Sequence, residues 1–143
     1  MAGQVYYEDI QVGDPIPVLR KNCSTLQLVA WAGASGDFYQ IHYDVEFARR
    51  TGLSNIIVHG ALKNAFLGQL LHDWVSPEGR IEKFGCQYRG MDYPDQDIMC
   101  SGVITRKYVE GDRHLVELDV WTENPSGQKT SPGTARVSLP SRG

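Results

Sequence analysis

The hydrophobic positions of this chain change their period near residue 80. Before that point the spacing is helical. Ser24-Thr25-Leu26-Gln27 has the form of a capping box, and Leu28, Val29, Ala30, Trp31 and Ala32 follow it. With Gly33 and Gly36 as bounds, this predicts a short helix over about 25–34. Asp44 can cap a second helix that runs through Arg50 and is ended by Gly52, with Arg49 and Arg50 on the negative end of its dipole. A third and longer helix is predicted from about Gly60 to Val75. Its Leu62, Ala65, Phe66, Leu67, Leu70, Leu71, Trp74 and Val75 fall nearly all round the axis, so the helix needs to be wrapped.

From Arg80 onward the period falls to two. Phe84, Cys86 and Tyr88 alternate with Gly85, Gln87 and Arg89; Val116, Leu118 and Val120 alternate with Glu117 and Asp119; Ala135, Val137 and Leu139 continue the pattern. Turn signals stand at Tyr93-Pro94-Asp95, Glu110-Gly111-Asp112, Asn124-Pro125-Ser126-Gly127 and Ser131-Pro132-Gly133. Four antiparallel strands are expected here, with Val12 to Lys21 adding an edge strand. One nearly all-apolar helix followed by a meander implies an α+β fold, an antiparallel sheet curled round that helix. Such a sheet leaves an exposed edge, so dimerisation is expected.

Composition narrows the function classes. A chain of 143 residues is the size of one domain, read as 1–143, and its 41% hydrophobic and 22% charged residues are those of an ordinary globular protein. A formal net charge of −3 with scattered Lys and Arg leaves no basic surplus for a phosphate backbone, so no nucleic-acid partner is expected. Met1 to Asp9 carries no leader pattern and no apolar run reaches the ~18 residues of a membrane span, which points to a cytoplasmic protein. Cys23, Cys86 and Cys100 have no zinc-type spacing and read as reduced thiols, with Cys86 and Cys100 buried in strands.

Two stretches carry candidate chemistry. In Gly36-Asp37-Phe38-Tyr39-Gln40-Ile41-His42, irregular backbone between two helices can aim a carboxylate and an imidazole into one cavity, where they hold a single water. Asp37 reads equally as a turn residue and His42 as a helix-entry residue. In Ile56-Ile57-Val58-His59-Gly60-Ala61-Leu62 an apolar segment runs straight into the long helix. Gly60 then stands where free N–H groups and the positive dipole end collect, and its missing side chain lets a carbonyl oxygen approach. The alternative for Gly60 is tight helix–sheet packing. Alanine is the better helix former, so Gly60→Ala is expected to cost the fold little. His42 and His59 have no third ligand at an evident spacing, so no metal site is expected. His72 and His114 read as surface or half-buried residues.

These stretches resemble the MaoC-like hydratase and dehydratase family, whose signature Gly-Asp-x-Asn-Pro-Ile-His is followed by His-Gly-Met-Leu; here the matching residues are Gly36 to His42 and His59-Gly60-Ala61-Leu62. The ending Gly133 to Pro140 resembles the family's last strand. The resemblance implies a hot-dog fold with Asp37 and His42 on a helical overhang before the central helix. It also implies reversible hydration of a trans-2-enoyl thioester, of coenzyme A or acyl carrier protein, to the (R)-3-hydroxyacyl thioester. On that reading Asp37 and His42 hold the water, the Gly60 amide holds the thioester oxygen, Tyr39, Gln40 and His59 line the pocket, and no cofactor is needed. Tyr39-Gln40 departs from the usual Asn-Pro, and Gly68 stands where some members carry a serine. Asp37 to Asp44, with Asp73-Trp74-Val75-Ser76-Pro77, looks most similar to the small MaoC subunits of steroid side-chain hydratases. That likeness implies a homo-oligomer or a heteromer with a second MaoC-like chain. The rival readings are a non-catalytic or partner-dependent subunit of such a heteromer, and a thioesterase on the same fold.

Overall fold

Local capping fixes where the helices start. In the computed structural model, which describes residues 3–143, Ser24 Oγ accepts a hydrogen bond from Gln27 N at 3.1 Å and opens α1 (Thr25–Ser35). Met1 and Ala2, the first residues of the N-terminal stretch read above, lie outside the described residues. α1 runs through Gly33 and stops at Gly36, whose φ of 78° places it in the left-handed region; Gly33 is therefore an interior residue and not a bound. Asp44 Oδ1 accepts from Phe47 N at 3.0 Å and opens α2 (Val45–Arg50). A 3-10 turn, Gln40–His42, lies between these helices.

The long helix α3 spans Gly60–Val75, as the apolar spacing predicts. It buries Leu62, Phe66, Leu67, Leu70, Leu71 and Val75, each at 4% exposure or less. The curled sheet wraps this apolar side as expected, and Ala61, Ala65, Gln69, His72 and Asp73 stay exposed on the other. One curled sheet has a single concave face and covers only the side turned to it.

That sheet is antiparallel, with β1 (Leu19–Asn22), β2 (Arg80–Cys86), β3 (Asp97–Glu110), β4 (Arg113–Glu123) and β5 (Lys129–Leu139) in the order β1-β3-β4-β5-β2. Ile98, Cys100 and Ile104 of β3, Val116, Leu118 and Val120 of β4, and Ala135, Val137 and Leu139 of β5 are buried. These alternate residues form the concave face that packs with α3 in one core cluster. β1 and β2 are the edges. The pairing of β2 with β5 shifts register between Ile81 and Lys83.

Three expectations need correction. The expected edge strand Val12 to Lys21 is reduced to β1, which begins only at Leu19 and ends at Asn22; Pro15 makes an isolated bridge to Val103, and Pro17 has no N–H to extend the ladder. Ser131-Pro132-Gly133 is not a turn but the middle of β5, paired across to Trp121 and Thr122. Pro132 fits there because regular pairing with β2 ends at Cys86↔Gly133, leaving only its carbonyl in use, accepting from Gln87 N at 2.9 Å. Cys86 is half-buried, while Cys23 and Cys100 are fully buried.

The core also holds an ion pair. Lys63, 1% exposed on the inner side of α3, donates to Asp92 Oδ2 at 3.0 Å and to Gly90 O at 2.9 Å. Thr130 Oγ1 gives its one proton to the same carboxylate oxygen at 2.5 Å, so Thr122 Oγ1 is the donor in the 2.8 Å bond between the two threonines. Removing one partner of such a pair leaves a charge in a dry site, which costs about 3–5 kcal/mol. Lys63→Met should therefore lower unfolding free energy by about 3 kcal/mol, as measured by chemical denaturation. Adding Asp92→Leu to it should recover part of that loss.

Candidate active site

Backbone geometry after α1 decides where Asp37 points. Once Gly36 has ended the helix, Asp37 N donates to Ser35 Oγ at 3.2 Å and Asp37 Oδ1 accepts from Tyr39 N at 3.3 Å. Its other oxygen, Oδ2, lies 3.8 Å from His42 Nε2. The Asp37 side chain is 47% exposed and that of His42 8%. One member of the pair faces water and the other faces the core.

His42 closes the 3-10 turn and is oriented by main chain. Its Nδ1 lies 2.8 Å from Ile57 O. A carbonyl can only accept, so Nδ1 carries the hydrogen and Nε2 is the nitrogen turned toward Asp37. Ile57 is itself held by donating to Ile41 O at 3.0 Å. The apolar segment before α3 is thus stitched to the turn that bears His42.

His59 completes the group. It is fully buried, stacks on His42 with ring centroids 3.8 Å apart and planes 20° from parallel, and places Nε2 3.3 Å from Asp37 O. Its Nδ1 has no partner among the described residues. Burial, reinforced by the neighbouring His42, pushes the His59 pKa below its ordinary value. The sequence spacing showed no third ligand beside His42 and His59, and the fold corrects this by bringing Asp37 to them, with one donor atom from each within 4.8 Å of the others. Zinc would require donors converging at about 2.0–2.2 Å. His42 Nδ1 and His59 Nε2 both face main-chain carbonyls, so these two nitrogens carry hydrogens and are not metal donors.

Gly60 is the first residue of α3, directly after His59. Neither its N–H nor that of Ala61 has an acceptor among the described residues, so both donors are free at the positive end of the helix. Tyr39 stands edge-on to His42 at 6.4 Å and to Phe47 at 5.8 Å. Gln40 is exposed, and its carbonyl accepts from Asp44 N at 2.8 Å. The structure brings Asp37, His42, His59 and Tyr39 together, whereas the exposed Gln40 side chain makes no hydrogen bond to them among the described residues. Sequence reasoning missed the Lys63–Asp92 pair, although a lysine on an otherwise apolar helix face was a visible signal. It also took Tyr88 only as a strand residue, whereas its ring lies against Gly60.

Comparison with known proteins agrees with this fold. The family described as "MaoC like domain" matches residues 9–124. Among solved structures, an (R)-hydratase from A. caviae involved in PHA biosynthesis superposes with a TM-score of 0.81 at 22% identity, covering 93% of this chain and 99% of that one. A chain of the ChsH1-ChsH2 complex from Mycobacterium tuberculosis gives 0.77 at 24% identity, over 90% of this chain and 98% of that one. A MaoC-like dehydratase from Rhodospirillum rubrum gives 0.83 at 21% identity, over 97% and 99%. No curated protein sequence matches significantly. No helix among the described residues is long and apolar enough to cross a membrane.

The lowered His59 pKa has a consequence for stability. Above about pH 6.5, the ordinary histidine value, the side chain is neutral folded and unfolded. As pH falls below it, the unfolded chain takes up a proton that the folded site resists, and stability is lost progressively toward the folded pKa. The melting temperature should therefore fall between pH 7 and 5. His59→Phe, which keeps a stacked ring but cannot titrate, should show a shallower slope in thermal scans across that range.

Proposed function

The chain belongs to the MaoC-like domain family, and on that premise we propose that it adds water reversibly across a trans-2-enoyl thioester, giving the (R)-3-hydroxyacyl thioester. Coenzyme A is the proposed carrier. The observation that carries this reading is the 3.8 Å gap between Asp37 Oδ2 and His42 Nε2. Two acceptors at that separation are too far apart for a bond to each other, yet each can lie about 2.8 Å from one water oxygen. A water donating both hydrogens into this pair turns its oxygen lone pairs outward, toward C3 of the substrate.

Attack at C3 places negative charge on the thioester oxygen as an enolate forms. The free Gly60 N–H at the start of α3 is the group proposed to receive it. One of the pair takes the water's proton and returns it to C2 from the same face. The flanking histidine, held out of its charged form by burial, leaves the proton to the Asp37–His42 pair. Likeness to an (R)-hydratase supports the (R) outcome.

A second reading concerns assembly. The exposed edge β2, the open side of α3 and likeness to a chain of a two-component complex favour action beside a second MaoC-like chain. Light scattering at micromolar concentration should give a dimer or larger species. A fully active monomer would refute the assembly proposal.

Asp37→Asn should lower turnover of an enoyl thioester by at least ~100-fold, and His42→Ala likewise, because each removes one holder of the same water. The exposed Asp37 carries little structure, so its variant should keep the wild-type melting temperature. Loss of the enoyl absorbance is the assay, and release of free thiol instead would identify a thioesterase. Near-normal turnover in folded Asp37→Asn would remove it from the reaction.

A further inference from the structure

A glycine at the start of α3 leaves a flank bare, and the sequence reading reserves that flank for an approaching carbonyl. The fold has placed a ring there. A Cβ built on Gly60 would meet Tyr88 Cδ2 at 2.5 Å and both Cγ and Cε2 at 2.7 Å. Three ring atoms at nearly equal distance mean that the face of the phenol ring lies on the Gly60 Cα. The expectation that Gly60→Ala costs the fold little is therefore corrected, because the new methyl group displaces this ring.

Tyr88 is held by its backbone and free at its side chain. The residues either side of it, Gln87 and Arg89, donate their N–H groups to Pro132 O and Thr130 O, each at 2.9 Å. Two residues further on, Gly90 O is clasped by the buried Lys63, and Asp92 O accepts from Val58 N at 2.8 Å. The strap 87–92 is thus fastened to β5 on one side and to the entry of α3 on the other. Tyr88 itself is 56% exposed, and no hydrogen bond from its hydroxyl exists among the described residues. Its ring can swing about the side-chain bonds while its Cα stays in place.

We propose that Tyr88 is a positioning residue for the thioester, a hinged aromatic cover on the open flank of Gly60, beside its free N–H, that turns aside for the carbonyl oxygen and then shields it from water. The proposal rests on the hydration reading. The ring occupies this flank, so an oxygen seated there displaces it. Once the oxygen is seated, excluding water strengthens the N–H···O interaction as charge grows. Removing the ring should therefore weaken the chemical step without weakening binding, the opposite of losing an ordinary pocket wall.

The test uses the protein as purified, together with its partner chain if it carries one. Tyr88→Ala should lower kcat about tenfold, a fraction of the loss of a whole oxyanion donor, with KM unchanged or lower. Tyr88→Phe, which keeps the ring, should stay within about twofold of wild type in both. Gly60→Ala should lower the melting temperature, and Gly60→Ala with Tyr88→Ala should regain most of that loss, a coupling read without any turnover. An active wild type whose Tyr88→Ala variant keeps kcat, or raises KM at constant kcat, overturns the cover and leaves hydration standing. A wild type inert toward every enoyl thioester overturns both.

Discussion

The apolar side of α3 can leave water in one place only, against the concave face made by β3, β4 and β5. Each buried leucine on that side contributes about 1.5–3 kcal/mol, and truncating one to alanine costs about 2–5 kcal/mol, a large share of a typical domain's net stability. That contact fixes the helix in space and therefore fixes its first turn. Gly60, His59 and Lys63 have their positions because Leu62, Phe66, Leu67, Leu70 and Leu71 have theirs. The site is in this sense an end effect of the core.

Three segments distant in sequence meet at that first turn. The overhang between α1 and α2 brings Asp37 and His42, the run into α3 brings His59 and Gly60, and the strap after β2 brings Tyr88. Each junction is made by main-chain or buried groups: Ile57 with Ile41 and His42, Val58 with Asp92, Lys63 with Gly90. Main chain so held keeps its direction even where a side chain on it, such as the Tyr88 ring, is free to turn, which is what a preorganised backbone donor requires. The asymmetry of the pair, with Asp37 exposed and His42 buried, means that only one of its members meets bulk water directly.

Much of this was legible in the residues. The Ser24 and Asp44 caps, the bounds of α3 and the change of period at residue 80 are local properties, and local chemistry decided them. Asp37 and His42 stood out through the family resemblance, because spacing alone reads them equally as a turn residue and a helix-entry residue; that they face each other is a matter of the fold. What failed to show was whatever depended on a neighbour in space. Ser131-Pro132-Gly133 reads as a turn until one knows that the strand beside it has already ended. Lys63 and Asp92 stand 29 residues apart and reveal themselves only as a pair. The stacking of His59 on His42, and the ring of Tyr88 over Gly60, follow from how separate segments pack, about which a one-dimensional pattern says nothing.

The irregular edge of β2 has a bearing on how a single copy of the chain behaves in solution. A bare, straight, apolar edge strand invites any other strand to add to it, and the result is aggregation. This edge is charged at Arg80, Glu82 and Lys83, and the pairing behind it slips at Ile81 to Lys83, which twists the strand away from flatness. A copy can therefore remain dispersed while this edge is uncovered, because the kink and the charges reject indiscriminate stacking.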